Sequence, residues 1–115
     1  MQVFKFGGAS VKSAENIRNV ATIIDTYKVN GLLVVVSAIG KTTTKLSEVV
    51  DRYFQREGDP FEALEQVRAE HLTILHELFA DKKHPIFDDV INTLVEAEWI
   101  LEEEPQDAYD YLYDQ

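Results

Sequence analysis

The uninterrupted apolar run from Leu32 to Val36 constrains the fold of this chain more than any other segment. All five side chains are leucine or valine, and Asn30-Gly31 just before them is a typical turn signal. Strands without polar residues are typical of parallel sheets whose two faces are both covered. The run therefore predicts a buried parallel strand in an α/β protein.

The preceding residues predict the partners of this strand. Gln2 to Phe6 has the character of a first strand, and Ser13 is a suitable N-cap for a helix that reaches about Tyr27. A strand, a helix and a strand of these lengths predict a βαβ unit. Two strands cannot bury Leu32 to Val36 on both faces, so we expect an incomplete sheet. Either the sequence is part of a larger α/β protein, or a partner chain completes the sheet.

The rest of the chain is predicted to be helical. One helix carries its apolar face on Leu46, Val49, Val50, Tyr53 and Phe54. Asp59-Pro60 predicts the start of the next, with Asp as N-cap, and a further helix begins near Pro85. Pro105 is expected to open a last helix, and Trp99 is expected to be a packing residue.

Composition and charge narrow the classes of function. The 115 residues fit one domain, and the absence of cysteine excludes disulfides and thiol nucleophiles. Residues 1–46 carry six basic and two acidic side chains, whereas residues 47–115 carry five and nineteen, for a net charge of −10. This balance disfavours nucleic acid and favours a small anion bound by the N-terminal part. No apolar run could span a bilayer, so we expect no membrane association and a cytoplasmic protein.

Two glycine-containing loops follow the two predicted strands. The first holds Lys5, Gly7, Gly8 and Ser10, and the second covers residues 37–44, with a glycine, a lysine and four hydroxyl side chains. Glycine lets the backbone approach a ligand, and the helix after each loop adds a positive dipole end. A lysine next to the glycines is suited to neutralise a phosphate. Both loops therefore predict an anion site, most simply for phosphate.

Other site types fit the residues less well. Gly40-Lys41-Thr42 lacks the glycine that a P-loop requires five positions earlier, where Val35 stands. His71 and His76 are five residues apart and so do not share one face of a helix, which disfavours a zinc pair. We expect His71 at the edge of the core, His76 at the surface and no metal site made of protein ligands alone.

The first loop resembles a known signature. The segment Val3 to Val11 is similar to the N-terminal motif of aspartate kinases, which belong to the amino-acid kinase family, and Val35 to Thr43 resembles their second loop. The resemblance implies transfer of the γ-phosphoryl group of ATP to the side-chain carboxylate of L-aspartate. The product would be 4-phospho-L-aspartate, an intermediate of lysine, threonine and methionine biosynthesis, and Mg²⁺ would arrive with ATP.

The resemblance also assigns roles to residues. It implies that Lys5 is catalytic and contacts the transferring phosphate, together with backbone N–H groups and a hydroxyl on the first loop, and that the second loop contacts aspartate. The nucleotide-phosphate residues would be Lys5, Gly7, Gly8 and Ser10, and the substrate residues would be Ser37 and Thr43. Two positions depart from the family pattern: Ala9 replaces a hydroxyl residue, and Thr44 replaces Asn or Asp.

Length separates this chain from the family it resembles, whose members are several times longer. The sequence stops before the family's Ser-x-Gly-Glu segment, so the expected piece is the N-terminal part of the catalytic domain. Residues 1–46 would bind phosphate and substrate, residues 47–115 would form a helical subregion, and the isolated chain would show no kinase activity. A kinase acting on glutamate, acetylglutamate or carbamate remains an alternative, as does a non-catalytic helical interaction module. A homo-oligomer or a strand-completing partner chain is also expected.

Overall fold

The computed structural model describes residues 1–55 and 57–102 and divides the chain into two compact units. The first unit is Met1–Thr42, and the second begins at Thr43. Strand β1, a 3₁₀ turn, helix α1 and strand β2 form the first unit, with bounds Gln2–Phe6, Gly8–Val11, Ala14–Tyr27 and Leu32–Val36. The helices that follow are α2, α3 and α4, with bounds Thr42–Gln55, Pro60–Leu78 and Pro85–Glu102.

The first unit is the predicted βαβ arrangement. The Ser13 hydroxyl accepts a hydrogen bond from the N–H of Asn16 at 3.1 Å, which caps α1 as the sequence predicts. Gly31, with a φ of 81°, turns the chain into β2. The strands are parallel, and their register runs from Gln2 opposite Leu32 to Phe6 opposite Val36. The α/β class, the parallel pairing and a sheet of two strands in the described residues are confirmed.

Only one face of this sheet is covered by the described residues. Phe6 packs with Val11 and Val20 of the helical side, and further apolar residues join this cluster: Phe4, Ile17, Ile24, Val34 and Ile39. Side chains alternate between the faces of a strand, so Val3, Leu33 and Val35 point the other way. They are 59%, 49% and 45% exposed. The open outer face agrees with the expected incomplete sheet, because within the first unit α1 packs on one face alone.

The second unit is built from helices, as predicted. The carboxylate of Asp59 accepts a hydrogen bond from the N–H of Phe61 at 2.9 Å and so caps α3. A core cluster joins α2, α3 and α4 through Val49, Ala63, Leu64, Leu94, Ala97 and Leu101. The Nζ of Lys45 lies 2.5 Å from Oε2 of Glu70, which links α2 to α3.

Two apolar side chains of this unit are more exposed than the sequence predicts. Leu46 is 41% exposed, and Trp99 is 61% exposed rather than packed. The burial expected for the histidines is confirmed, since His71 is half-buried and His76 exposed.

The helix predicted from Pro105 lies outside the described residues. The described helices include none that is both long and apolar enough to cross a membrane.

Candidate functional site

The two glycine-containing loops lie against each other at the carboxyl ends of the paired strands. The N–H of Ser37 donates to the carbonyl of Phe6 at 2.9 Å, which extends the sheet by one hydrogen bond. The N–H of Gly40 then donates to the carbonyl of Gly8 at 3.2 Å. Because parallel strands end at the same edge of a sheet, the loops that follow them meet there. The expected proximity of the loops is confirmed for the part of the second loop that belongs to the first unit.

Gly8 is required at this contact for steric reasons. A Cβ built on Gly8 would lie 2.7 Å from the carbonyl oxygen of Gly40 and 3.4 Å from that of Ala38. Gly40 has a φ of 52°, a backbone conformation that favours glycine. Gly7 differs, since a Cβ there would meet nothing within 4 Å. One glycine therefore allows the loops to pack, and the other leaves open space beside the backbone.

Four consecutive carbonyl groups of the first loop are hydrogen-bonded within the protein. The acceptors are the carbonyls of Phe6, Gly7, Gly8 and Ala9, and their donors are, in the same order, the N–H of Ser37, the N–H of Ser10, the N–H of Gly40 and the Nδ2 of Asn16. The four distances lie between 2.9 and 3.2 Å. Every peptide plane from Phe6 to Ser10 is therefore held in a defined orientation.

This arrangement decides which N–H groups of the loop can bind a ligand. The C=O and N–H of a trans peptide point in opposite directions. The carbonyls of Phe6 and Gly8 point toward the second loop, so the N–H groups of Gly7 and Ala9 point away from it. Among the described residues, none accepts a hydrogen bond from the N–H of Gly7, Gly8 or Ala9. Successive free backbone N–H groups in a turn are a recurrent means of binding anions.

Lys5 stands on β1, two residues before this turn. It lies opposite Val35 in the sheet register and is exposed. Its position on the strand places it on the outer face of the sheet, with Val3 and Leu33, and not on the face that packs against α1. No carboxylate of the described residues forms an ion pair with Lys5. Its ammonium group is therefore available to an anionic ligand.

Ser10 is exposed and lines a shallow hollow of about 330 Å³ beside α1. Asn16 and Asn19 contribute amide groups to this hollow, and Phe6, Val20 and Ile23 contribute apolar surface. Lys5 is not part of its lining. The hydroxyl of Ser10 is thus accessible, on the side of the turn that faces α1.

The predicted substrate residues fall in different units. Ser37 is exposed and belongs to the first unit with the glycines. Thr42 is buried, and its hydroxyl donates to the carbonyl of Ile39 at 2.6 Å, so it closes the second loop. Thr43 and Thr44 are exposed in the first turn of α2 and belong to the second unit. The role of Thr43 stays a prediction.

Sequence reasoning missed two residues that contribute to the glycine turn, Ala9 and Asn16. Ala9 was considered only as a lost hydroxyl, but its N–H is one of the free donors of the turn. Asn16 holds the carbonyl of Ala9 although it lies seven residues further along, inside α1. No sequence signal distinguishes this asparagine from a surface residue near a helix start.

Within the described ranges, no group of three or more His, Cys, Asp or Glu side chains is placed to hold a metal ion.

An exposed ion pair lies at the opposite end of α1. Nζ of Lys28 lies 2.6 Å from Oδ1 of Asp25, and both side chains are exposed. Their hydrogen bond, with a smaller contribution from charge attraction, lowers the pKa of Asp25 and raises the pKa of Lys28. The pair is remote in the fold from the glycine turn, because Lys28 precedes β2 and the turn follows β1.

Comparison with known proteins adds independent information. Aspartokinase 2, chloroplastic, of Arabidopsis thaliana is 37% identical over 79 residues, which are 66% of this chain and 14% of that protein. Aspartokinase of Bacillus sp. (strain MGA3) is 53% identical over 49 residues, which are 41% of this chain and 12% of that protein. The chain thus spans a small part of the curated relatives that it matches.

A solved structure and a family model extend the likeness along the chain. The crystal structure of Clostridium acetobutylicum aspartate kinase matches with a TM-score of 0.72 at 23% identity, over 98% of this chain and 26% of that one. At this identity the match is a likeness of fold. The model of the amino acid kinase family matches residues 1–96, which include both strands, both loops and most of the helical part. The chain therefore belongs to the amino acid kinase family.

Proposed function

We propose that this chain is the N-terminal part of an aspartate kinase and contributes phosphate-binding groups to the catalytic site. The observation that carries the proposal is the turn after β1, in which the carbonyls of residues 6–9 all accept hydrogen bonds while the N–H groups of Gly7 and Ala9 have no acceptor among the described residues. Several of the relatives that match this chain are named aspartokinases. The reaction would phosphorylate the side-chain carboxylate of L-aspartate.

Phosphoryl transfer needs positioned charge and hydrogen-bond donors rather than a protein nucleophile. In this proposal the ammonium group of Lys5 neutralises the transferring phosphate. The free N–H groups of Gly7 and Ala9 bind its oxygen atoms, and the hydroxyl of Ser10 is a further donor. Ser37 and Thr43 are proposed to contact aspartate. The backbone donor at Ala9 remains although its side chain has no hydroxyl.

ATP supplies the phosphoryl group when it is bound. The groups present suit phosphate oxygens, since they combine backbone donors with a lysine that has no ion-pair partner in the described part of the chain. Mg²⁺ is proposed to enter with the nucleotide phosphates, because the described acids and histidines form no metal-binding group of their own. A homo-oligomeric state stays a prediction. A cytoplasmic location also stays a prediction, since the names of several plant relatives place those proteins in the chloroplast.

The test uses a chimeric enzyme, since we expect the 115-residue chain alone to show no kinase activity. This chain replaces the matching segment of the Clostridium acetobutylicum enzyme, and ATP-dependent phosphorylation of aspartate is measured as the hydroxamate. We expect activity in the chimera and a fall in kcat of at least about 100-fold for Lys5→Ala, as for other groups that stabilise transition-state charge.

Lys28→Ala is the matched control, because Lys28 is also exposed but lies at the other end of the βαβ unit. It should leave kcat within about twofold, since an exposed ion pair contributes little to stability. A folded chimera that phosphorylates glutamate, acetylglutamate or carbamate instead of aspartate would favour the other amino-acid kinases. Equal activity of the chimera and its Lys5→Ala variant would reject the proposed role of Lys5.

A further inference from the structure

Asn16 has two separate hydrogen-bonding positions in the first unit. Its backbone N–H donates to the hydroxyl of Ser13, as part of the N-cap of α1. Its side-chain Nδ2 donates to the carbonyl of Ala9 at 2.9 Å. The first bond belongs to the helix and needs no particular side chain at position 16. The second connects the helix to the glycine turn and depends on the carboxamide.

The bond to Ala9 completes the set that orients the turn. Of the four donors that hold the carbonyls of Phe6 to Ala9, three are backbone N–H groups and one is the Asn16 side chain. The peptide plane before Ala9 is held by Gly40, and the plane after it is held by Asn16. The free N–H of Ala9 lies in the first of these planes. The bond from Asn16 restrains it indirectly, because fixing the second plane limits the φ and ψ angles that Ala9 can adopt.

We propose that Asn16 is a positioning residue for the anion-binding turn: its carboxamide holds the carbonyl of Ala9 so that the N–H groups of the turn stay directed at a bound phosphate. The inference rests on the proposed function. Asn16 acts through Ala9 and need not touch the ligand itself. The same bond also fixes the plane that carries the N–H of Ser10, which donates to the carbonyl of Gly7 at 3.0 Å.

The test measures binding of inorganic pyrophosphate to the 115-residue chain by NMR, with the amide signals of Gly7, Gly8 and Ala9 as reporters. Asn16→Leu removes the donor and keeps the size and a good helix former. Asn16→Asp also removes it, but an acidic residue in the first turn favours the helix. We expect both variants to weaken binding by about fivefold or more, the usual effect of one lost hydrogen bond. The melting temperature of the Asp variant should not fall.

Asn19→Asp is the matched control, since Asn19 lines the same hollow on the same helix and makes no hydrogen bond to Ala9. It adds the same charge and should change the affinity by less than about twofold. Unchanged affinity in Asn16→Leu, or equal losses in Asn16→Asp and Asn19→Asp, would overturn the inference.

Kinetics in the chimeric enzyme separate this inference from the proposed function. An inactive wild-type chimera would count against the proposed function. An active chimera in which Asn16→Leu lowers neither kcat nor the affinity for ATP would reject the positioning role alone. We expect kcat to fall while the KM for aspartate changes by less than about twofold, because the turn binds phosphate. No binding of pyrophosphate by the unsubstituted chain would overturn the positioning role as well as the anion site.

Discussion

Gly7 and Gly8 are adjacent, yet the structure requires glycine only at Gly8. At Gly8 a Cβ would meet the backbone of Gly40, which cannot move aside as a flexible side chain can. At Gly7 the φ of −77° and ψ of 176° are accessible to any residue, and no described atom is near. Gly8 therefore serves the packing of the loops, whereas the described residues set no steric requirement for glycine at position 7.

Alanine at these two positions should separate folding from binding. We expect Gly8→Ala to lower the free energy of unfolding by about 1–3 kcal/mol, the usual cost of forcing atoms into a packed site. Gly7→Ala should leave it unchanged or raise it by up to about 1 kcal/mol, because alanine restricts the unfolded chain. Urea unfolding of both variants provides the measurement. Similar losses of stability at both positions would contradict the steric argument.

At the residue scale, the sequence predicts site residues where the residue type itself suggests the chemistry, and these roles stay predictions. Lysine and glycine are disfavoured in strands, so their occurrence as Lys5, Gly7 and Gly8 at the end of β1 is itself a sequence signal. Ala9 and Asn16 have no such signal. Their contributions come from a backbone N–H and from a side chain that reaches back seven residues, and neither can be inferred from residue type.

At the scale of elements, the caps are the features that the sequence predicts best. Ser13 and Asp59 cap α1 and α3 with their side chains, because a short polar side chain before an apolar pattern can satisfy the free N–H groups of a first helical turn. These interactions are local, within three residues. Start positions of both helices were therefore predicted to within one residue.

The cap of α3 can be tested directly. Asp59→Ala should lower the free energy of unfolding by about 1 kcal/mol, since the N–H of Phe61 loses its acceptor. Asp59→Asn keeps an acceptor oxygen and serves as the control, with an expected loss of only a few tenths of a kcal/mol. The bond from Arg52 to the backbone carbonyl of Asp59 is available in both variants. Thermal or urea unfolding in which the Ala variant loses no stability would show that the cap contributes nothing.

Burial within elements was predicted less well than their bounds. Helical spacing identifies an apolar face, but how much of that face is covered depends on which other helices are present. Leu46 and Trp99 illustrate the difference, because both fit an apolar pattern and both remain largely exposed in this structure. Periodicity is a local property, and burial is not.

At the scale of the whole molecule, the open outer face of the sheet agrees with the expectation of an incomplete sheet. Val3, Leu33 and Val35 form an apolar surface beside Lys5, and no described residue covers it fully. The solved chain with the same fold is about four times as long, since this chain matches 26% of it. A parallel strand with this composition is typical of a sheet that is covered on both sides.

A polar substitution on the outer face of the sheet should change stability differently in the 115-residue chain and in the chimeric enzyme. In the 115-residue chain, Leu33→Thr should change the free energy of unfolding by less than about 0.5 kcal/mol, as for other surface changes. In the chimeric enzyme the same change should cost about 2 kcal/mol, because a hydroxyl would replace buried apolar surface. Val34→Thr, on the inner face, is the control and should be costly in both. A neutral Leu33→Thr in the chimera would show that this face is uncovered there too.

The amino-acid sequence alone determined the order of the described elements, the caps, the parallel βαβ unit and the position of the two loops proposed to bind an anion. The caps follow from interactions between residues close together along the chain. The order of the elements and the pairing of the strands follow from the type and spacing of residues within each element. Tertiary structure decided which N–H groups of the turn are free, why Gly8 cannot carry a side chain and which face of the sheet is open. These properties depend on the orientation of peptide planes held by donors such as Ser37 and Gly40, about thirty residues away along the chain. No local pattern encodes that orientation.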